Sequence, residues 1–121
     1  MRFGFEELDV WRKAVNFADQ VINLVENVNT DRKHFRLIEQ LEAASTSIAM
    51  NIAEGKGRYS KREFIQFLYI ARGSLYKCIT LLTIFKKRGW LSEIVFSKLE
   101  ADAKEIASML VGLINSIKRT L

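Results

Sequence analysis

This sequence contains no proline, one cysteine and one histidine, and each scarcity excludes a class of protein. Average usage would place about six prolines in a chain of this length. Because proline interrupts helices and is common in turns, its absence favours long helices joined by few loops. Cys78 has no second cysteine to pair with, so the disulfide-rich class is excluded. With His34 as the only histidine, multi-histidine metal sites are excluded as well.

Long apolar runs are also missing. The longest ones, such as Ile79 to Phe85, are far shorter than the ~20 residues that a bilayer-spanning helix needs. Glu6, Glu7 and Asp9 stand where a signal peptide would need an apolar stretch. We therefore expect a cytoplasmic protein without membrane association. A length of 121 residues with 49% hydrophobic and 27% charged residues predicts one globular domain over residues 1–121.

The net charge of +5 is concentrated in one part of the chain. Residues 1–55 contain six Lys or Arg and nine Asp or Glu, a balance of −3. Residues 56–90 contain nine basic residues and one acidic residue, a balance of +8. The remaining residues are balanced at four against four. An excess confined to one segment predicts a surface for phosphates or another polyanion.

Hydrophobic spacing divides the chain into four helical segments and shows no strand-like alternation. The expected inward stripes are Leu8, Trp11, Val15, Ala18, Ile22 and Val25; Leu37, Leu41, Ala44, Ile48 and Ile52; Phe64, Phe67, Ala71, Ser74, Cys78, Leu81 and Phe85; and Val95, Leu99, Ala103, Ile106, Leu110, Leu113 and Ile117. The second segment is expected to start near Arg32. Short connections between long helices predict an all-α, antiparallel, up-down-up-down four-helix bundle.

Local signals mark where these helices begin and end. The run Gly55-Lys56-Gly57 predicts a left-handed glycine cap at the end of the second helix. Ser60 and Glu63 have the spacing of a capping box at the start of the third. Gly89 predicts the end of that helix.

The third helix has a second, largely apolar face away from its core stripe. That face carries Ile65, Tyr69, Arg72 and Tyr76. Because a four-helix bundle buries one stripe per helix, a second apolar face predicts a contact between subunits of a homo-oligomer. The alternative is apolar surface that a monomer tolerates.

Basic residues at both ends of the third helix are the strongest functional signal. They are Lys56, Arg58, Lys61 and Arg62 at its start, and Lys86, Lys87 and Arg88 at its end. We predict that these residues contact nucleic-acid phosphates; the alternative is that they only keep the protein soluble. Arg72 lies between Tyr69 and Tyr76, which leaves base stacking open beside the interface interpretation.

A polar cluster lies near the junction of the second and third helices and comprises Asn51, Glu54, Arg58 and Ser74. A half-buried asparagine needs hydrogen-bond partners, and we expect Glu54 or Ser74 to supply them. Gly73 next to Ser74 predicts close approach of a facing helix. The cluster is interpreted as fixing the register of the bundle, with ligand contact as the alternative.

No catalytic arrangement is recognisable. The pair Asp31 and His34 is interpreted as a helix start, and Cys78 falls on a core stripe, where a thiol behaves as a small hydrophobe. The short glycine run Gly55-Lys56-Gly57 does not match a phosphate-binding loop. We therefore expect no enzyme activity, no cofactor and no metal.

Several motifs resemble the 23S rRNA intervening-sequence protein family. They are Ser47-Ile48-x-x-Asn51-Ile52-Ala53-Glu54-Gly55-x-x-Arg58-x-Ser60-x-x-Glu63-Phe64-x-x-Phe67-Leu68, then Ile70-Ala71-Arg72-Gly73-Ser74-Leu75, and the opening Phe5-x-x-Leu8-x-Val10-Trp11-x-x-Ala14. The chain departs from the family pattern at Glu42, where a basic residue is expected, at Ala49, where proline is common, and at Lys77-Cys78, where a glutamate usually follows Gly-Ser-Leu.

The resemblance implies a bacterial four-helix bundle that assembles as a homopentamer. It extends to the accessory variability determinants of diversity-generating retroelements, which are basic pentamers that bind a reverse transcriptase and nucleic acid. The function hypothesis is therefore a non-enzymatic oligomer whose basic surfaces bind RNA, DNA or a nucleoprotein. The alternative is an interaction scaffold or accessory subunit for an acidic protein partner, such as a polymerase, without direct nucleic-acid contact.

Overall fold

The computed structural model describes residues 2–30 and 34–121, which form four long helices and no strand. A short 3₁₀ turn, Gly4–Glu7, precedes them. The helices are α1 (Asp9–Asn27), α2 (Phe35–Lys56), α3 (Lys61–Lys87) and α4 (Glu93–Lys118). Consecutive helices pack against each other, and α4 also contacts α1, so the chain closes into the predicted four-helix bundle. The predicted helix start near Arg32 and the residue Asp31 lie outside the described residues.

One continuous core fills the bundle, and it refines two of the expected stripes. In α1 the buried positions include Val10, Ala14, Phe17 and Val21, whereas Val15, expected to face inward, is exposed. The buried residues Val10, Ala14, Phe17 and Val21 recur at spacings of four, three and four on one helix face, and Val15 lies about 100° from Ala14 around the helix, away from that face. In α4, Phe96 is buried and its neighbour Val95 is exposed.

Gly55 lets α2 and α3 approach each other closely. It is buried inside α2, and a Cβ added there would lie 2.6 Å from Cβ of Phe67 and 3.0 Å from Cδ1 of Phe64. The predicted left-handed cap is wrong, because Gly57 ends α2 with φ of −79°. The prediction that Gly73 permits a close approach is also wrong within the chain: Gly73 is exposed, and a Cβ there would meet no atom within 4 Å.

The ends of α3 follow the predicted signals. The Ser60 hydroxyl accepts a hydrogen bond from the Glu63 amide at 3.1 Å and donates one to the Glu63 carboxylate at 3.2 Å. At the other end Gly89 adopts φ of +77°, and the Trp90 amide donates to the Phe85 carbonyl at 2.9 Å. The Phe85 and Trp90 rings meet edge to face, which completes a Schellman cap.

By length and composition alone, α3 is the one helix among the described ranges that could cross a membrane. This is weak evidence, because the core helix of a bundle passes the same test. Here α3 buries eight side chains, among them Leu68, Leu75 and Leu82, and packs against both α2 and α4.

Candidate nucleic-acid interface

The fold gathers positive charge at the end of the bundle where α3 begins and α4 ends. We call this group the basic end, and it comprises Lys56, Arg58, Lys61, Arg62, Lys118 and Arg119. Lys61 Nζ donates to the Thr120 carbonyl at 3.3 Å, which ties the start of α3 to the end of α4. Arg62 and Lys118 line one surface groove together with Ile65 and Leu121. Charges from two distant parts of the sequence therefore form one surface.

Lys118 and Arg119 were missed by the sequence reasoning, which counted charge along segments of the chain. Residues 91–121 are neutral overall, so their two C-terminal cations carried no signal. The antiparallel order of the helices was the available clue, since it places the end of α4 beside the start of α3.

The cations of the basic end differ in how far they are already engaged. Arg58 is held by the Glu54 carboxylate at 2.6 Å and lies 4.8 Å from the centroid of the Phe67 ring. Lys56 lies 5.8 Å from the Phe64 ring centroid. Arg62 and Arg119 have no carboxylate within ion-pair distance in residues 2–30 and 34–121. The least engaged cations are therefore Arg62 and Arg119, whereas Lys61 and Lys118 donate hydrogen bonds to uncharged oxygens of the chain.

The second predicted basic group lies at the opposite end of α3, about 40 Å away by the rise of a 27-residue helix. We call Lys86, Lys87 and Arg88 the far cluster. Lys86 is 3.6 Å from the Glu93 carboxylate and 4.2 Å from the Phe96 ring centroid. Arg88 is 5.8 Å from the Trp90 ring centroid. The structure therefore does not bring the two predicted basic groups together, and the far cluster is smaller and partly neutralised.

The predicted interface residues of α3 do not share one environment. Ile65 is only 8% exposed and belongs to the core of the single chain. Tyr69 and Tyr76 are 37% and 55% exposed. The Arg72 guanidinium carbon lies 5.0 Å from the Tyr69 ring centroid and 5.8 Å from that of Tyr76. Lys118 Nζ donates to the Tyr69 hydroxyl at 2.8 Å, so this aromatic surface is continuous with the basic end.

The polar cluster joins α2 to α3 through a residue that the sequence reasoning did not include. Asn51 Nδ2 donates to both the carbonyl and the hydroxyl of Ser47, each at 2.8 Å. The Ser47 hydroxyl is in turn 2.9 Å from that of Ser74 on α3. The expectation that Asn51 bonds directly to Glu54 or Ser74 is therefore wrong: Glu54 pairs with Arg58, and Ser74 is reached through Ser47.

Cys78 is fully buried in the core, and burial raises the pKa of its thiol to about 12. Since the thiolate is the nucleophilic form, this thiol is inert at neutral pH. Its place is structural, as the core stripe of α3 predicted.

Comparison with known proteins adds a family and a fold relative. The chain matches the family model described as "23S rRNA-intervening sequence protein" over residues 6–112. A crystal structure of a protein of unknown function from the S23 ribosomal protein family of Bacteroides thetaiotaomicron VPI-5482 superposes with a TM-score of 0.81. The two chains are 26% identical, and the match covers 87% of this chain and 97% of the other. Comparison with curated proteins gives no match. Since the family model spans most of the helices and the solved relative shares their arrangement, the chain belongs to the 23S rRNA-intervening sequence protein family.

Proposed function

We propose that this protein is a non-catalytic bundle that binds RNA or DNA through its basic end, with little sequence preference. The observation that carries the proposal is the meeting of Arg62, on α3, with Lys118, at the end of α4, in one exposed groove. Cations from separate helices form a surface that can follow a phosphate backbone. Lys and Arg contacts of this kind supply affinity without reading bases.

We further propose that the protein acts as a homo-oligomer, as the family resemblance implied. Because Ile65, one of the predicted interface residues, is buried in the single chain, we place the contact on the neighbouring face of α3, where Ile70 and Ile84 are 51% and 40% exposed and lie two heptads apart. Contact through this face would leave the basic end of each copy exposed. Several basic ends on one particle bind a long nucleic acid with an avidity that exceeds the single contact. Light scattering tests this assembly: a pentamer has five times the chain mass of 14.0 kDa, and a stable monomer at micromolar concentration contradicts it.

Salt dependence provides the sharpest test of nucleic-acid binding. Each phosphate contact contributes about 0.7 to the slope of log affinity against log salt on a single strand, and about 0.9 on duplex DNA. The variant Lys61→Gln, Arg62→Gln, Lys118→Gln removes three exposed cations and should reduce the slope by about 2 on a single strand. Arg58 is left in place because its loss would also break the ion pair with Glu54.

The matched control removes the same number of charges at the far cluster, with Lys86, Lys87 and Arg88 changed to Gln. We expect a smaller reduction in slope there, because Lys86 is already paired with Glu93. Both variants should keep the mass and helix content of the native protein. If the native protein binds neither RNA nor DNA at about 50 mM salt, the proposal is wrong. The basic end would then be assigned to an acidic protein partner, such as a polymerase or reverse transcriptase.

A further inference from the structure

An apolar groove of about 360 Å³ runs between α3 and α4, about 20–27 Å along α3 from Arg62 of the basic end. We call it the α3–α4 groove, and its lining residues are Leu75, Tyr76, Ile79 and Thr80 of α3 and Glu100, Ala103, Lys104 and Ala107 of α4. Its volume falls in the range of small-molecule sites. Two alanines on α4 leave its floor free of bulky side chains.

We propose that this groove and the two tyrosines along it accept the unstacked bases of single-stranded nucleic acid, so that the protein prefers single strands to duplexes. The proposal rests on the proposed function, because the phosphates of the same strand would be held by the basic end. It adds a base-binding surface and a preference for single strands over duplexes, which the basic end alone would not create.

Aromatic rings are present at the correct place for such a surface. Tyr76 is 55% exposed and lines the groove, and Tyr69 lies about two helical turns nearer the basic end. The Arg72 guanidinium lies within 6 Å of both ring centroids, and both rings remain partly exposed on the surface. Single-strand binding proteins combine this kind of ring platform with a positively charged track.

Charge continues along the same path. Lys118 bonds to the Tyr69 hydroxyl, Arg72 lies between the tyrosines, and Lys104 lines the groove beyond Tyr76. Lys104 is exposed and has no carboxylate partner in the described parts of the chain. One acidic residue, Glu100, lines the groove. From Arg62 to Thr80 the path along α3 is about 27 Å, long enough for a few nucleotides of an extended strand.

Duplex nucleic acid cannot use this surface, because its bases are stacked inside the helix. A duplex would contact only the cations, whereas a single strand would contact the cations and also stack bases on the rings. The preference for a single strand should therefore depend on the rings, and the overall affinity on the charges.

The test measures anisotropy of labelled oligonucleotides of about ten nucleotides at about 50 mM salt. The probes are oligo-uridine, oligo-thymidine, an abasic strand with the same number of phosphates, and a duplex of the same length. The variants are Tyr76→Leu and Tyr69→Leu, which remove an exposed ring from a helix surface. Tyr76→Phe keeps the ring, and Phe35→Leu removes an exposed aromatic from the opposite end of the bundle.

We expect Tyr76→Leu to weaken binding of oligo-uridine and oligo-thymidine by about 5- to 100-fold. Affinity for the abasic strand and the duplex should stay within about twofold. Tyr76→Phe and Phe35→Leu should behave as the native protein does on all four probes. If Tyr76→Leu weakens binding of only one of the two homopolymers, the groove is limited to RNA or to DNA, and a base-binding surface is still supported.

Three results would overturn the proposal. If the native protein binds the duplex as tightly as the single strands, the basic end remains the proposed binding surface and the groove has no role in binding. Equal weakening of all four probes by Tyr76→Leu would assign the ring a general or structural role. A fall in native mass in Tyr76→Leu would assign this face to contact between copies. If no probe binds the native protein, the proposed function fails together with this inference.

Discussion

The close approach of α2 and α3 at Gly55 leads to a prediction with a definite sign. Replacing Gly55 by alanine adds one methyl group, whose carbon would lie 2.6 Å from Cβ of Phe67 and 3.3 Å from the Phe64 carbonyl oxygen. Neither atom belongs to the flexible end of a side chain, so the two helices must move apart. Overpacking of this kind costs about 1–3 kcal/mol.

Helix propensity opposes this cost, since alanine is favoured over glycine in a helix interior by about 1 kcal/mol. Gly112 in α4 provides the matched control, because it is exposed and an added Cβ would meet nothing within 4 Å. Gly112→Ala should therefore raise the free energy of unfolding by up to about 1 kcal/mol. Gly55→Ala should lower it by up to about 2 kcal/mol, after the gain in propensity is subtracted from the steric cost.

Urea unfolding followed by far-ultraviolet circular dichroism measures both changes, at one fixed protein concentration because assembly shifts the apparent stability. In thermal unfolding the two variants should differ by roughly 3–15 °C, since they differ by the steric cost of about 1–3 kcal/mol and 1 kcal/mol shifts Tm by several degrees at this size. If Gly55→Ala proves as stable as Gly112→Ala, the tight α2–α3 contact is not a determinant of the fold. Gly73→Ala, also without neighbours in the chain, should behave as Gly112→Ala does unless α3 contacts another copy there.

Two further predictions concern Cys78 and Asn51. Because burial raises the pKa of the Cys78 thiol from 9.0 to about 12, its contribution to stability is present below pH 9 and is lost as pH rises towards 12. Between pH 9 and 10 the loss in the free energy of unfolding should be about 1 kcal/mol. In urea unfolding, Cys78→Ala should remove that part of the pH dependence, whatever its effect on the free energy of unfolding at pH 7. Asn51→Leu should lower the free energy of unfolding by about 1 kcal/mol, because it removes both hydrogen bonds to Ser47. RNA affinity per folded particle should not change, and loss of RNA binding at unchanged stability would instead place Asn51 in the binding site.

The sequence predicted the number and order of the helices and both ends of α3, because those depend on local signals. The Ser60 cap and the Gly89 stop act within a few residues, and the structure confirms both. The phase of α1 was predicted less well, because Val15 is more hydrophobic than Ala14 although the smaller residue is the one at the core. In that case the apolar spacing alone fits two helix faces, and the position of the neighbouring helices decides which face is buried.

In the candidate site, too, local features could be predicted from the sequence and features that depend on which helices meet could not. The cations at the start of α3 were visible as a local excess of charge. Lys118 and Arg119 were not visible, because their contribution depends on which helix ends meet in space. Ile65 was expected on the outer face of α3 and is buried in the core, since α3 packs against both α2 and α4 and so buries more than a single stripe. Charge and aromatic content were therefore readable from the sequence, and their grouping into a surface required the fold.

At the edge of the shared apolar core, α1 and α4 are joined by polar and charged side chains. Lys13 pairs with Glu105 at 2.8 Å, and Lys98 bonds to Gln20 at 2.8 Å, with Asp102 close to both. The side chains of the two ion pairs are one-third to two-thirds exposed, and ion pairs in such positions are weak and are screened by salt. We expect this polar edge to loosen more readily than the core that α4 shares with the other helices. Since α4 carries Lys118 and one wall of the α3–α4 groove, such loosening would change the shape of the proposed binding surface while the core stays packed.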